Sequence, residues 1–141
     1  MKVAQIFALA GISMLAMSNS CSKEADVSPD AQLLTGRVVK QEITVDTNLK
    51  NPRTRWILDV APAEFPGWSG KLSKQVKVFN LPDTLSYNAG KTLTFHYKLL
   101  PEAEQTAWKT LYEWHSVPAQ LPGAVALPEL VLSDVQPVSS R

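Results

Sequence analysis

Side chains able to do chemistry are few and scattered in this 141-residue chain. The two histidines, His96 and His115, have no carboxylates or thiols at metal-ligand spacing. His96 falls on the polar side of an alternating stretch, and His115 closes a helical pattern where its cation suits the helix dipole. Both read as solvated or satisfied side chains. Glu102 and Glu104 form an apparent acid pair, but two residues along a helix place them about 200° apart, too far round to share a substrate. No Ser-His-Asp set, nucleophile elbow or Gly-rich phosphate loop is identifiable. The expectation is a protein without a catalytic constellation, metal or cofactor. Cys21 is the single cysteine, so it cannot form a disulfide within the chain. What distinguishes it is its position.

Cys21 directly follows an address-like leader. Lys2 gives a positive start, and Val3 to Met17 is apolar except for Gln5 and Ser13. As a helix this run spans roughly 22 Å, short of the ~30 Å hydrocarbon core. With small residues Ser18-Asn19-Ser20 behind it, it reads as a secretory signal rather than a permanent span. Ser20-Cys21 resembles the lipobox of bacterial lipoproteins, which implies a diacylglycerol on the Cys21 sulfur and residues 1–20 removed. Ala16-Met17-Ser18 is a rival small-x-small cut that would leave a soluble protein with a free thiol. Ser22-Lys23-Glu24-Ala25-Asp26 resembles the Lys-plus-acid tags that export lipoproteins of some Gram-negative lineages to the cell surface. It fits equally well as a solvated linker. The implied location is the cell envelope, lipid-anchored to the outer membrane.

Once Lys2 leaves with the leader, the 14 basic and 13 acidic side chains come into balance. A neutral chain lacks the basic surplus expected of a nucleic-acid binder. Residues 21–34 are polar, contain Pro29 and show no period; they read as a tether averaging roughly 20 Å as a coil. The domain then runs over 35–141. Thr35 to Val45 and Thr54 to Val60 are β-rich and separated by Asp/Asn/Pro turn residues, which predicts a hairpin. Gln75 to Phe79 is a short third strand. Thr92 to Leu99 alternates cleanly and is the clearest strand. Glu129 to Val135 is the last, and the tail from Val138 is expected to fray. Gly36 suggests a bend or a close backbone approach.

Between the last two strands, Pro101 to His115 predicts an amphipathic helix of about four turns. Ala103, Ala107, Trp108, Leu111, Trp114 and His115 fall on its apolar side; Glu102, Gln105, Thr106, Lys109 and Glu113 fall opposite. Phe65 and Trp68 lie in a Pro/Gly-rich loop. Phe65, Trp68, Trp108, Tyr112 and Trp114 are therefore the candidate binding platform, for a sugar, peptide or protein. The simpler account has the loop rings capping the core and the tryptophans packing the helix over it. Asp83-Thr84-Leu85 resembles the Asp-Thr/Ser-aliphatic sites that some Gram-negative lineages O-glycosylate, which would make Thr84 the acceptor.

Five strands with a short helical turn after the third fit a mainly β chain built as a small OB-like barrel with one inserted helix. A seven-stranded immunoglobulin-like sandwich is the alternative, but seven strands are not found. Gly36-Arg37-Val38-Val39, Asn80-Leu81-Pro82, Gly90 to Phe95 and Leu130 to Val135 resemble small OB-like domains of bacterial lipoproteins, NigD-like N-terminal domains in particular. The expected function is a membrane-anchored, non-catalytic binding or accessory module for a protein or glycan. A periplasmic enzyme or enzyme inhibitor is the second expectation. Nucleic-acid binding by fold analogy is the third.

Overall fold

Five stretches rich in β-branched and aromatic residues pair edge to edge until the sheet closes on itself. The computed structural model describes residues 32–116 and 124–139. The leader, Cys21 and most of the expected tether lie outside them. In chain order the strands are β1 (Leu33–Thr44), β2 (Arg53–Asp59), β3 (Phe65–Pro66), β4 (Leu72–Ser73), β5 (Gln75–Val78), β6 (Thr92–Leu99) and β7 (Glu129–Pro137). The closed barrel has the order β1-β2-β5-β7-β6, while β3 and β4 form a separate two-residue hairpin. Only β5 and β7 pair in parallel. Counting barrel strands alone, the order is first, second, third, fifth, fourth, the plan of a small OB-like barrel. A single closed sheet also disposes of the two-layer sandwich alternative.

Alternation sets the inside of the barrel. Trp56, Leu58 and Val60 from the second strand meet Val76 and Val78 from β5, Leu93, Phe95 and Tyr97 from β6, and Leu130 and Leu132 from β7. Every residue of this cluster is apolar or aromatic, so hydrophobic area is its source of cohesion. The indole N–H of Trp56 is buried there without a partner, a local cost of about 1–3 kcal/mol. Gly36 makes the close approach expected of it: a Cβ would sit 3.2 Å from the Phe95 ring and from Val60.

Two boundaries differ by more than one residue from the sequence expectation. The strand expected to begin at Thr35 begins at Leu33, because Leu33 and Leu34 pair with His96 and Phe95 of β6 and Leu34 packs on the core. At the other end, the fraying tail is held at least through Val138, whose N–H donates to the Thr92 carbonyl.

A third difference matters more. The four-turn helix over Pro101 to His115 does not form. One 3₁₀ turn at Glu102–Glu104 is followed by extended chain, and α1 covers only Leu111–His115. Tertiary partners take the backbone groups that a helix would have used. The Thr106 N–H donates to the Glu129 carboxylate at 2.7 Å. Lys109 exchanges both backbone hydrogen bonds with Val45, extending the β1 edge. Thr110 then caps α1, its hydroxyl accepting from the Glu113 N–H while the Glu113 carboxylate accepts from the Thr110 N–H. Residues 100–116 thus form a strap laid along the outside of the barrel, from the end of β6 to the β1–β2 loop.

Candidate functional site

The strap covers the outward face of β2 and β5. Facing it are Arg55 at 1% exposure and Lys77 at 5%. Buried cations need partners, and both have them. Arg55 donates to Glu113 at 2.7 and 3.1 Å and also reaches Glu42. Burial works against the Arg55 cation, but the hydrogen bonds to Glu113 and Glu42 outweigh it and hold its pKa above the ordinary value. At Glu42, burial pushes the pKa upward. Hydrogen bonds from Lys40 and Arg55 overcome this and set it below the usual carboxylate value. Lys77 donates to the Val125 carbonyl at 3.0 Å and sits opposite Glu129 in the β5–β7 pairing. Its pKa is lowered by burial, which the Glu129 charge only partly offsets.

A bulge in β1 makes this layer possible. The β1–β2 register slips between Val38 and Lys40. Val38 points into the core. With one residue added, Glu42 turns outward to oppose Arg55 instead of inward.

The five candidate platform rings divide among four settings. Phe65 is buried and meets Tyr97 edge-on, centroids 5.1 Å apart, so it caps the core. Trp108 and Trp114 fasten the strap to the β1–β2 loop: their indole N–H groups donate to the carbonyls of Asn51 and Val45 at 2.9 and 3.0 Å. Arg53 lies against both Phe79 and Trp108, and Lys109 lies 4.8 Å over the Trp114 ring. Tyr112 is 76% exposed on α1. Trp68 is half-exposed on a loop whose backbone is fixed from several sides.

That fixation is specific. The Trp68 N–H donates to the Ala126 carbonyl at 2.9 Å, and the Gly67 N–H donates to the Lys71 carbonyl at 2.8 Å. Gly67 passes so close to the 124–128 segment that a Cβ would lie 2.4 Å from the Ala126 oxygen. Trp68 stands between two open depressions. One, of about 300 Å³, lies against Pro66, Leu99, Leu100 and Pro101. The other, of about 350 Å³, lies against Lys77, Thr106 and Lys109. Trp68, Glu102 and Gln105 line both. A larger depression of about 530 Å³ lies beside Ser86, Lys91, Thr92 and Val138, with neither an aromatic ring nor a carboxylate in its wall. The Trp68 cleft is therefore the better candidate site: it pairs an apolar plate with acceptors and donors.

His96 lies partly buried on β6, pairing with Leu33 and Ser133. His115 is exposed at the end of α1. Among the described residues no cluster of His, Cys, Asp and Glu is arranged to hold a metal ion. Thr84 is exposed and leads into a 3₁₀ turn at Leu85–Tyr87. Sequence reasoning passed over Gln105, Lys77, Glu129 and the Arg55–Glu113 pair. One signal for the last was present: Thr110-Leu111-Tyr112-Glu113 is a capping-box pattern, which marks a helix start at Leu111, as the structure forms it. Compared with known proteins, the chain matches no family model, no curated relative and no solved structure.

Proposed function

We propose that this chain is a lipid-anchored binding module of a bacterial envelope, held through Cys21 at the outer membrane, with the Trp68 cleft as its ligand-facing site. The observation that carries the binding role is the state of Trp68: a large ring left half-exposed on backbone that the fold immobilises, between two depressions that share Glu102 and Gln105. Rigid, exposed aromatics bind at low entropic cost. The buried charges support a non-catalytic role, because Arg55 is spent on holding the strap through Glu113 and Lys77 on the Val125 carbonyl of the segment before β7. The same strap lies over the β2–β5 face, the surface by which barrels of this plan grip oligonucleotides and oligosaccharides, so a ligand of either kind would have to sit at the edge of the strap; the balance of basic and acidic side chains weighs against nucleic acid.

The anchor is tested by the intact mass and detergent partition of the native protein. The expected form begins at Cys21, carries fatty acyl chains and enters the detergent phase; a water-soluble form cut after Ser18 with an unmodified thiol would end the anchored reading. The cleft is tested by a photo-reactive amino acid at position 101, in the exposed wall of the cleft, of the full chain in its native membrane. One discrete adduct, lost on Trp68→Ala, is expected; unmodified protein after irradiation would remove the cleft from consideration.

A further inference from the structure

Resting on the cleft as the binding site, we infer that its ligand is a neutral pyranose unit of a glycan, stacked on the Trp68 indole. A pyranose presents one face of C–H groups and a rim of hydroxyls that both donate and accept. The cleft offers the matching set. Trp68 supplies an apolar plate. Gln105, shared by both depressions, carries an amide that donates and accepts at once; Glu102 accepts. Lys109 adds a donor in the second depression, steadied over the Trp114 ring.

Charge narrows the class. Glu102, Lys109 and Lys77 line the second depression, and Glu129 is the partner of Lys77 in the β5–β7 register. Lys77 is 5% exposed with its ammonium committed to the Val125 carbonyl, so the charges left open to a ligand are one acid, Glu102, and one base, Lys109, and neither a uronate chain nor a phosphorylated glycan gains from that balance. A protein hot spot would surround its tryptophan with further apolar contact area. Here the apolar wall of Pro66, Leu99, Leu100 and Pro101 lies on one side of Trp68, and both depressions also carry the Gln105 amide and the Glu102 carboxylate, with ammonium groups in the second. The second depression adds the Thr106 position, but its hydroxyl is committed to Glu129 at 2.6 Å and is a wall, not a contact. Two depressions flanking one ring accommodate a short oligosaccharide better than a lone monosaccharide, with the ring under its middle unit.

The test uses the full chain, detergent-solubilised, and a panel of trisaccharides: maltotriose, cellotriose, mannotriose, chitotriose and, as the charged comparison, trigalacturonate. Saturation-transfer NMR and tryptophan fluorescence report contact, and calorimetry the affinity. At least one neutral trisaccharide is expected to bind more tightly than trigalacturonate. Trp68→Ala should weaken it about tenfold or more, Trp68→Phe less, and Gln105→Ala several-fold. All three variants should keep the wild-type melting temperature within a few degrees, because Trp68 lies outside the barrel core. Failure of all four neutral probes to bind the wild type, or binding that Trp68→Ala leaves intact, overturns the saccharide assignment. The photo-crosslink at position 101 then separates the two failures. A Trp68-dependent protein adduct keeps the binding module and replaces only its ligand class, whereas absence of any adduct ends both.

Discussion

The molecule buries side chains in two places, on opposite principles. Inside the barrel, thirteen residues from Val38 to Leu132 pack with no charge among them. Under the strap, Arg55, Lys77, Glu113 and Glu129 are nearly as inaccessible, at 1–8% exposure, and all are ionisable. The core gains from area removed from water and needs no special geometry beyond volume and shape. The seam gains only when each ion meets its partner, because an unpaired buried charge costs several kcal/mol. The two layers share a wall: β2 and β5 present Trp56, Leu58, Val76 and Val78 inward and Arg55 and Lys77 outward. Differences in their response to mutation and acid therefore separate the layers without changing the fold.

The largest effects come from breaking each layer in its own way. Phe95→Ala, at 0% exposure in the core, should cost about 3–5 kcal/mol, and Arg55→Ala, which strands Glu113, about the same. The distinction appears on repair. Replacing both Arg55 and Glu113 by Met and Leu should recover most of the Arg55→Ala loss, since buried ion pairs are commonly exchangeable for apolar packing. Chemical denaturation of the two singles and the double measures this. Costs that simply add would mean that Arg55 and Glu113 do not act as a pair.

Acid is the second probe. Glu42 has a folded-state pKa below its ordinary value. Its contribution is complete above the unfolded carboxylate pKa and is lost as pH falls through the lower folded value. The core has no carboxylate and does not follow. As pH is lowered, protection from hydrogen exchange, taken relative to the intrinsic rate at each pH, should be lost first in residues 105–115 and only later in β6. Glu42→Gln should cost about 1.5–3 kcal/mol at neutral pH and flatten the acid limb of the stability curve. An unchanged acid limb in that variant would show that Glu42 does not tie the β1 edge to Arg55.

These two layers were not equally legible in the sequence. The alternation of Thr92 to Leu99 gave β6 its bounds, and Trp56, Leu58 and Val60 were placed on one face, because a half-buried strand writes its geometry into every second residue. The seam writes no such period. Its acids and bases come from β1, β2, β5, β7 and α1, and each looks like an ordinary surface charge until the strap covers it. The strap itself was misread because Trp108, Leu111 and Trp114 recur at helical spacing. Two of those rings are spread out to reach the loop carbonyls of Asn51 and Val45. The bulge at Val39, which turns Glu42 outward, leaves no mark in residue type. Of the cleft, Trp68 stands out in the sequence for its place in a Pro/Gly loop; Glu102 stands out only as half of an acid pair with Glu104 that helix geometry rejects, and Gln105, brought to the cleft from the strap, does not stand out.

A smaller effect tests the start of α1. Thr110→Ala removes the hydroxyl that accepts the Glu113 N–H and should cost about 1 kcal/mol. The cost should shrink when Arg55 is already absent, because the cap also positions the Glu113 carboxylate toward the guanidinium. Thr110→Ser keeps an acceptor and should restore most of the stability. A double-mutant cycle between positions 110 and 55 measures the coupling; independence of the two would reduce the cap to local helix chemistry.

The smallest expected effect discriminates best between strap and helix. A four-turn amphipathic helix would press Leu111 against the barrel, and Leu111→Ala would then cost about 2–5 kcal/mol, as buried leucines do. In the strap, Leu111 is 55% exposed while Glu113, from the opposite side of the helical wheel, is the residue that α1 buries. Leu111→Ala should therefore change stability by no more than about 0.5 kcal/mol, and Tyr112→Ser should behave alike. Thermal or urea denaturation of both variants decides it. A loss above 2 kcal/mol at Leu111 would put the apolar stripe back in contact with the sheet. A near-silent Leu111 beside a costly Glu113 would mean that charge, not apolar area, fastens this segment to the barrel.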